Sequence, residues 1–334
     1  MKTVKIINPY ALQILDFDSN EKEKIAECAK NAVMWAENRL ALENFNCAHM
    51  TVEIFKKYFG IHFSDEMGGK MENMTGLSTA VTENPHCREL AKNVDYICHE
   101  CYAREYLEFK KDPEKAYIRN GRILQNAVIP VMFWPYIFSD LFRIESFGDC
   151  ANATQATNYL NLAFKNSEEN NTCIFTVFSK AMAFYAMAIK QTGKPENMIF
   201  VQSSPCLNKA VKPAFDFIDK VFTVYTKEYA ALNNIKITCG GYKCIFCRAC
   251  YKKTDSVQYV NELLKSDQTI VKGIVNSIIK LINEINTFSS AAAAAELNND
   301  KKTANRENRK LVKRLEKFSA EYPDYVKYKD LLVA

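Results

Sequence analysis

The 334-residue chain has little of several features that would narrow its function. It holds 4 histidines, which leaves little room for His-rich metal sites, and 10 glycines. The sequence contains no G-x-x-x-x-G-K-[ST], no G-x-G-x-x-G and no H-E-x-x-H. The nearest approaches fail on residues, because Gly193-Lys194 is followed by proline and His99-Glu100 by cysteine. P-loop, dinucleotide-binding and zincin-type functions are therefore excluded.

Long apolar runs are also missing. The longest, residues 127–138, contains two prolines and is shorter than the roughly 20 residues of a membrane span. The first 24 residues mix Lys, Asp and Glu with apolar residues and lack the core of a secretory signal. We expect a cytoplasmic protein without a membrane partner. Its net charge of +5 permits a nucleic-acid partner but does not require one.

From residue 141 onward, short β-rich runs alternate with helical stretches. The runs are Phe142–Phe147, Cys173–Phe178, Met198–Gln202, Val221–Tyr225 and Ile235–Thr238. Strands separated by helical segments of about 10–15 residues are typical of parallel βα units. The pattern predicts an α/β fold with a partial or complete βα barrel-like parallel sheet, helical extensions at both ends and Cys-rich metal loops.

The sequence predicts three regions. Residues 20–59 have helical spacing of apolar positions, and Gly60 stands where a helix is expected to end. A polar break at Met67–Thr75 separates a helical cap, residues 1–75, from a βα core, residues 76–253. Residues 254–334 form a helical extension, in which Lys301–Lys317 is strongly basic.

Polar residues at the carboxyl ends of the predicted strands are the candidate site, because the carboxyl ends of parallel strands share one edge of the sheet. Arg143, Asp149 and Lys180 are the candidate catalytic residues. A carboxylate there is placed to hold a substrate hydroxyl or amine, and the lysine an anion. The alternatives are a buried Arg–Asp pair and a solvated lysine. Ser203 and Ser204 are the candidate cofactor-binding residues.

Seven of the 12 cysteines fall into two groups. The first thiol group is Cys87, Cys98 and Cys101, and the second thiol group is Cys239, Cys244, Cys247 and Cys250. Cysteine thiolates are soft metal ligands, and clustered cysteines in a reducing compartment indicate metal or redox chemistry. The two-residue spacers of the second group favour a [4Fe–4S] cluster, with Zn²⁺ as the alternative. The first group suits a cluster with an open iron site or a zinc ion completed by His86 or His99. One shared site also remains open.

Several short motifs resemble one family. They are GLSTA at 76–80, Cys101-Tyr102-Ala103, RNGRILQN at 119–126, Arg143-to-Asp149 and the second thiol group. In this order the motifs resemble the phage-associated "gene product 88" family over about Gly76–Lys253. The resemblance implies a protein of phages and mobile elements whose arrangement is similar to radical S-adenosylmethionine proteins. It thereby implies S-adenosylmethionine as a candidate cofactor. The second thiol group has one residue more than the usual C-x3-C-x-aromatic-C and follows a late strand.

Two functions follow from these observations. The first is a cytoplasmic iron–sulfur metalloprotein with redox or radical chemistry at the strand ends. The second is a non-enzymatic phage factor whose cysteines hold structural metal. In that case the basic segment Lys301–Lys317 binds nucleic acid or a host protein.

Overall fold

The computed structural model describes most of the chain. The described residues are 5–65, 67–109, 111–167, 171–240, 242–264, 267–298 and 300–321. They divide into two compact units. The first is Met1–Leu107 with Asp112–Leu264, and the second is Glu108–Lys111 with Lys265–Ala334.

A six-stranded parallel sheet forms the centre of the first unit. The strands are β1 (Thr75–Leu77), β2 (Leu141–Ile144), β3 (Ile174–Ser179), β4 (Met198–Ser203), β5 (Lys220–Tyr225) and β6 (Gln258–Leu263). Each strand pairs with the next in chain order, so the order across the sheet is β1-β2-β3-β4-β5-β6. The predicted α/β class with a parallel sheet is confirmed. Within the described residues β1 and β6 are the sheet edges, and closure into a barrel is not seen.

The described residues contain twelve α-helices. They are α1 (Pro9–Gln13), α2 (Lys22–Leu42), α3 (Val52–Phe59), α4 (Pro85–Leu90), α5 (Tyr102–Phe109), α6 (Lys111–Asn126), α7 (Ala153–Lys165), α8 (Met182–Thr192), α9 (Lys227–Leu232), α10 (Cys244–Cys247), α11 (Asp267–Leu297) and α12 (Lys301–Glu321). Helix α7 connects β2 to β3, and α8 connects β3 to β4. These are the βα units that the alternating pattern predicts.

One face of the sheet is buried under helices. Alternate strand residues such as Phe142, Phe175 and Phe200 join the main apolar core, which also takes in buried residues of α1, α2, α3, α7 and α8. Trp134, which is fully buried, stacks on Phe55 of α3 with ring centroids 4.9 Å apart. Side chains alternate along a strand, so the neighbouring residues face the opposite side of the sheet.

The structure has helices where the sequence predicts them near the N-terminus. Helices α2 and α3 lie within residues 20–59, and α3 ends at Gly60, which has a φ of 74°. This left-handed conformation suits glycine because it has no Cβ atom. Arg119 Nε donates to the Gly60 carbonyl at 2.7 Å and so attaches α3 to α6. The helices share the apolar core of the sheet.

Two strands differ from the sequence predictions. Ile235–Thr238 is not a strand, and the last strand is instead β6, twenty residues later. The backbone of residues 235–238 is held partly by the side chain of Asn261, whose Nδ2 donates to Lys236 O at 3.0 Å. Strand β1 begins at Thr75, the last residue of the segment that the sequence indicates as a polar break. Both strands are at sheet edges, where apolar alternation is weak.

The second unit contains the helices α11 and α12, which pack against each other. Small or apolar residues are buried in it: Leu281, Ala292, Ala295 and Ala304. The predicted boundary at residues 253/254 lies before β6, whereas the second unit resumes at Lys265. In the described part of the chain, no helix combines the length and apolarity that crossing a bilayer requires.

Candidate functional site

The first thiol group lies beside the carboxyl ends of β2 and β3. Cys87 is on α4, whose first turn is capped by the buried Asn84. The Asn84 Oδ1 atom accepts from the N–H groups of His86 at 2.9 Å and Cys87 at 3.2 Å. Its Nδ2 donates to the carbonyl oxygen of Asp149 at 2.5 Å. This bond fixes the helix that carries Cys87 to the loop after β2.

The other two thiols of the group are held by separate attachments. The N–H of Ile97 donates to Pro205 O at 2.9 Å, which attaches the segment around Cys98 to the chain after β4. Cys101 directly precedes α5, and its carbonyl accepts from the N–H of Arg104 at 3.0 Å. Three different turns of the chain therefore supply the three thiols.

Lys180, the residue after β3, is the cation that acts on the first thiol group. Burial alone would lower the pKa of Lys180. The three thiols and Asp149 outweigh that effect, so the pKa of Lys180 is raised above its usual value. Burial also raises the pKa of Cys98, and the charge of Lys180 partly offsets that effect. Among the described residues Lys180 has no carboxylate ion-pair partner. The positive charge of Lys180 thus acts on the buried thiols of this group.

Asp149 holds the ends of two strands together. Its Oδ1 accepts from Ser179 Oγ at 2.5 Å and from the N–H of Cys150 at 2.7 Å. Its Oδ2 accepts from the N–H of Lys180 at 2.8 Å. The side chain is 5% exposed and makes no ion pair with Arg143 within the described structure. These contacts give Asp149 a positioning role, and its predicted catalytic role stays a prediction.

The second thiol group lies on the face of the sheet opposite the helix-covered core. Cys239 donates its N–H to Asn261 O on β6 at 2.9 Å. Lys70 Nζ lies 3.5 Å from the Cys239 Sγ and also pairs with Glu262 of β6. The first thiol of this group is therefore fixed to the last strand, beside an ion pair.

The remaining three thiols lie on both sides of a tight turn at Arg248. Cys244 and Cys247 begin and end α10, and Arg248 then adopts a φ of 52° that redirects the chain. Thr176 Oγ1 on β3 donates to the Cys250 carbonyl at 3.3 Å. Cys244 and Cys250 pack against a small apolar cluster. Its buried members are Met67, Met74, Leu141 and Tyr251.

The four thiols of the second group share one electrostatic environment. Burial raises the pKa of Cys250 to about 12, Arg143 lowers it, and the other three thiols add to the increase. Cys244 follows the same pattern, with burial first and Arg143 opposing it. The four sulfurs therefore lie within electrostatic range of one another and of Arg143.

Arg143 connects the two groups. It pairs in register with Thr176 and places its guanidinium over the ring of Phe178, with Cζ 3.4 Å from the centroid. Its Nε is buried and has no hydrogen-bond partner in the described structure. Burial raises the pKa of Tyr102, and the charges of Arg143 and Lys180 both oppose that increase. Tyr102 therefore lies within reach of the cations of both thiol groups.

The donor chemistry of the two groups suits a thiophilic metal. All 12 cysteines are free thiols. Within the described residues, however, no set of three or more His, Cys, Asp or Glu side chains is arranged to hold a metal ion. Of the two histidines predicted as further ligands, His99 Nδ1 bonds Ala91 O at 3.0 Å, whereas His86 Nε2 is buried without a partner. Binding a metal thus requires the sulfurs to move together.

The two predicted cofactor-binding serines differ in what their hydroxyl groups do. Ser204 Oγ donates to Lys209 O at 2.6 Å and stabilises the loop after β4. Ser203 ends β4 and is in register with Phe222 on the face that carries the second thiol group. Its side chain is nearly buried. Cofactor binding by both residues stays a prediction.

A buried carboxylate at the end of β2 was not among the predicted site residues. Glu145 is 2% exposed and has a φ of 54°. Its carboxylate accepts from Thr79 N at 3.1 Å, Thr79 Oγ1 at 2.8 Å and Gln155 Nε2 at 2.7 Å, and also from the hydroxyl of Tyr159. Burial raises the pKa of Glu145 to about 7 despite these donors. In the sequence, Glu145 is marked only by its position as a charged residue of the predicted strand Phe142–Phe147, directly after Ile144.

No known protein family, curated protein or solved structure matches this chain. The resemblance to the gene product 88 family therefore stays a prediction from short motifs.

Proposed function

We propose that the chain is a cytoplasmic metalloprotein of the gene product 88 type that binds an iron–sulfur cluster through its clustered cysteines. The observation that carries the proposal is the grouping of seven unpaired thiols around two cations on one parallel sheet. The second thiol group would hold a [4Fe–4S] cluster, and Zn²⁺ is the alternative metal. The cluster would supply electron transfer.

The charges around the thiols support this proposal. A cluster ligated by thiolates is anionic, and Lys180 and Arg143 would each offset negative charge at one thiol group. Raised thiol pKa values keep the metal-free site neutral, so that metal entry releases protons. The C-terminal edge of the sheet, with Arg143, Asp149 and Lys180, would then be the reaction site of a redox or radical-S-adenosylmethionine-like enzyme in a barrel-like sheet.

Anaerobic purification followed by iron and acid-labile sulfide assays tests the proposal. We expect a brown protein with both elements. Cys98→Ala and Cys247→Ala should each lower the metal content, whereas Cys47→Ala, outside both groups, should leave it unchanged. Loss of separate metal equivalents in the two variants would indicate two sites. A colourless protein with stoichiometric zinc would exclude the iron–sulfur cluster and leave the structural-metal alternative.

A second candidate function rests on α12 in the other unit. Lys302, Arg306, Arg309 and Lys313 recur at helical spacing and are exposed. The ion pairs of this helix are those of Arg306 and Lys310 with Glu307 and of Arg314 with Glu284, within the described residues. Lys302 and Arg309 have no acidic partner there. This stripe would bind the phosphates of a nucleic acid, or an acidic host protein.

Salt dependence distinguishes the two partners. Phosphate binding predicts that nucleic-acid affinity falls steeply with salt, and that Lys302→Ala and Arg309→Ala each reduce the slope by about one. Lys190→Ala, an exposed lysine of α8, is the matched control. Nucleic-acid binding that both Lys302→Ala and Arg309→Ala leave unchanged would exclude α12 as the contact.

A further inference from the structure

Two cations on the sheet have no acidic partner. Neither Arg143 nor Lys180 forms an ion pair with any carboxylate in the described structure. Isolated charges removed from water are costly unless they are paired. The Nε of Arg143 is buried and has no hydrogen-bond acceptor among the described residues, whereas buried donors normally have one. Both side chains are half-buried, and within the described residues neither has a carboxylate at ion-pair distance that would neutralise its charge.

The register of the strands places Arg143 and Phe178 on one face of the sheet, because Arg143 is opposite Thr176 and Phe178 is two residues after Thr176 on β3. Lys180 lies just beyond the end of β3, and the charges of both cations act on Tyr102. Side chains at such intervals point to one side of a strand. The helix-covered core lies on the other side, where Phe142, Phe175 and Val177 are buried.

The nearby carboxylates already have partners. Asp149 accepts three hydrogen bonds, from Ser179 at the end of β3 and from the backbone N–H groups of Cys150 and Lys180. Glu262 pairs with Lys70. Glu145 accepts from the side chains and backbone around it and is buried. None of these acids lies within ion-pair distance of Arg143 or Lys180 in the described part of the protein.

Aromatic rings form the apolar part of the same surface. Phe178 lies under the guanidinium of Arg143, and its ring meets that of Phe222 edge-on with centroids 5.4 Å apart. Tyr102 donates its hydroxyl to Ser146 O at 2.9 Å and lies within the field of both cations. A guanidinium is planar, and a ring stacked on its face leaves the hydrogen-bonding edge uncovered. Tyr251 shares a side-chain hydrogen bond with Arg143, and the Nε of Arg143 is the donor left without an acceptor within the described residues.

We propose that Arg143 and Lys180 form a binding site for a small-molecule oxyanion, a carboxylate or a phosphate, carried on an apolar or aromatic group. Arg143 pairs with the oxyanion through the edge of its guanidinium, and Lys180 contributes a second positive charge. Phe178 and Phe222 contact the apolar part of the ligand. This site does not depend on a metal, since its recognition elements are the two cations and the two rings.

Calorimetric titration with inorganic phosphate and, separately, with benzoate tests the proposal on the full chain as purified. Wild type should bind one of them saturably. Arg143→Met and Lys180→Met should each weaken that binding at least about tenfold, which corresponds to about 1.4 kcal/mol. Arg143→Lys keeps the charge but not the fork, so it should weaken binding less than Arg143→Met. The probe that binds more tightly, phosphate or benzoate, shows whether the site prefers a phosphate or a carboxylate.

Lys190→Met is the matched control, because Lys190 is an exposed lysine of α8. A second measurement uses wild type only, in case the variants fail to fold. The bound probe should slow alkylation of Cys98 by iodoacetamide, while the rate at Cys47 stays the same. No saturable binding, equal weakening by Lys190→Met, or loss of all binding once iron is loaded would overturn the proposal. The last result would show that the two cations only balance the charge of a metal–thiolate centre.

Discussion

The buried carboxylate of Glu145 makes the stability of the first unit depend on pH. Burial raises its pKa from 4.5 to about 7, and the hydrogen bonds from Tyr159 and Thr79 only partly oppose this. The folded protein therefore holds a proton that the unfolded chain releases between these two values. Stability is highest below about pH 4.5 for this group and falls as the pH rises towards 7, above which it levels off.

The size of the effect follows from the pKa difference. A change from 4.5 to about 7 corresponds to about 3.4 kcal/mol, at about 1.36 kcal/mol per pKa unit. Between about pH 5 and about pH 8 the accessible part of this loss is about 2.5 kcal/mol. Glu145→Gln removes the titration. The variant also places a new amide N–H donor next to existing donors such as Gln155 Nε2. The resulting loss in the free energy of unfolding is independent of pH.

Urea unfolding of wild type and Glu145→Gln at several pH values measures the difference. Tryptophan fluorescence is a suitable probe, because Trp35 and Trp134 both lie in the unit that contains Glu145. The wild-type free energy of unfolding should fall, relative to the variant, by about 2–3 kcal/mol from about pH 5 to about pH 8. Glu89→Gln, at an exposed position, is the control and should parallel wild type. Parallel curves for Glu145→Gln and wild type would refute the reasoning.

Three further predictions concern packing, capping and metal binding. Gly148→Ala should destabilise the protein by about 1–3 kcal/mol in thermal unfolding, since its Cβ would clash with the Glu145 carboxylate and lie 2.7 Å from the Thr79 carbonyl. Gly68→Ala meets open space and should change little. Asn8→Ala removes the α1 cap and two bonds to buried carbonyls at 2.7 and 2.8 Å, so it should cost about 2–4 kcal/mol in urea unfolding. The exposed cap Asn46→Ala should cost about 1 kcal/mol, and similar losses in both variants would contradict the role of the buried bonds. Because burial raises the pKa of several ligand thiols, apparent metal affinity in chelator competition should fall at least about tenfold per pH unit on acidification, and a flat profile would exclude thiolate ligation.

The strands that the sequence predicts best are the central ones. Those at 173–178 and 198–202 are apolar, β-branched or aromatic, and the structure places β3 and β4 there within one residue at each end. A strand buried on both faces must be apolar throughout, so its sequence signal is strong. The edge strand β6 has the sequence QYVNEL. Its polar and charged residues interrupt the apolar pattern, so the sequence does not predict a strand there.

The site was predictable in its residue types but not in its contacts. Clustered cysteines and polar strand ends are local signals, and the sequence identifies them directly. The partners of those residues come from other parts of the chain. Asp149 bonds Ser179, thirty residues later, and Lys70 pairs with Glu262 across 192 residues. Pairings over such separations are set by the topology of the sheet, which alternation of elements alone does not specify.

Glu145 shows why a local interpretation of one strand misassigns its charged residues. Strict alternation places Arg143 and Glu145 on one face, but β2 ends at Ile144 and Glu145 adopts a left-handed backbone. Its side chain thereby joins Thr79, Gln155 and Tyr159, while Arg143 remains on the face of Phe178. An alternating strand would have brought the two opposite charges together as an ion pair. Their separation leaves Arg143 without an acid, and for that reason the cation at this edge of the sheet is available to an external anion.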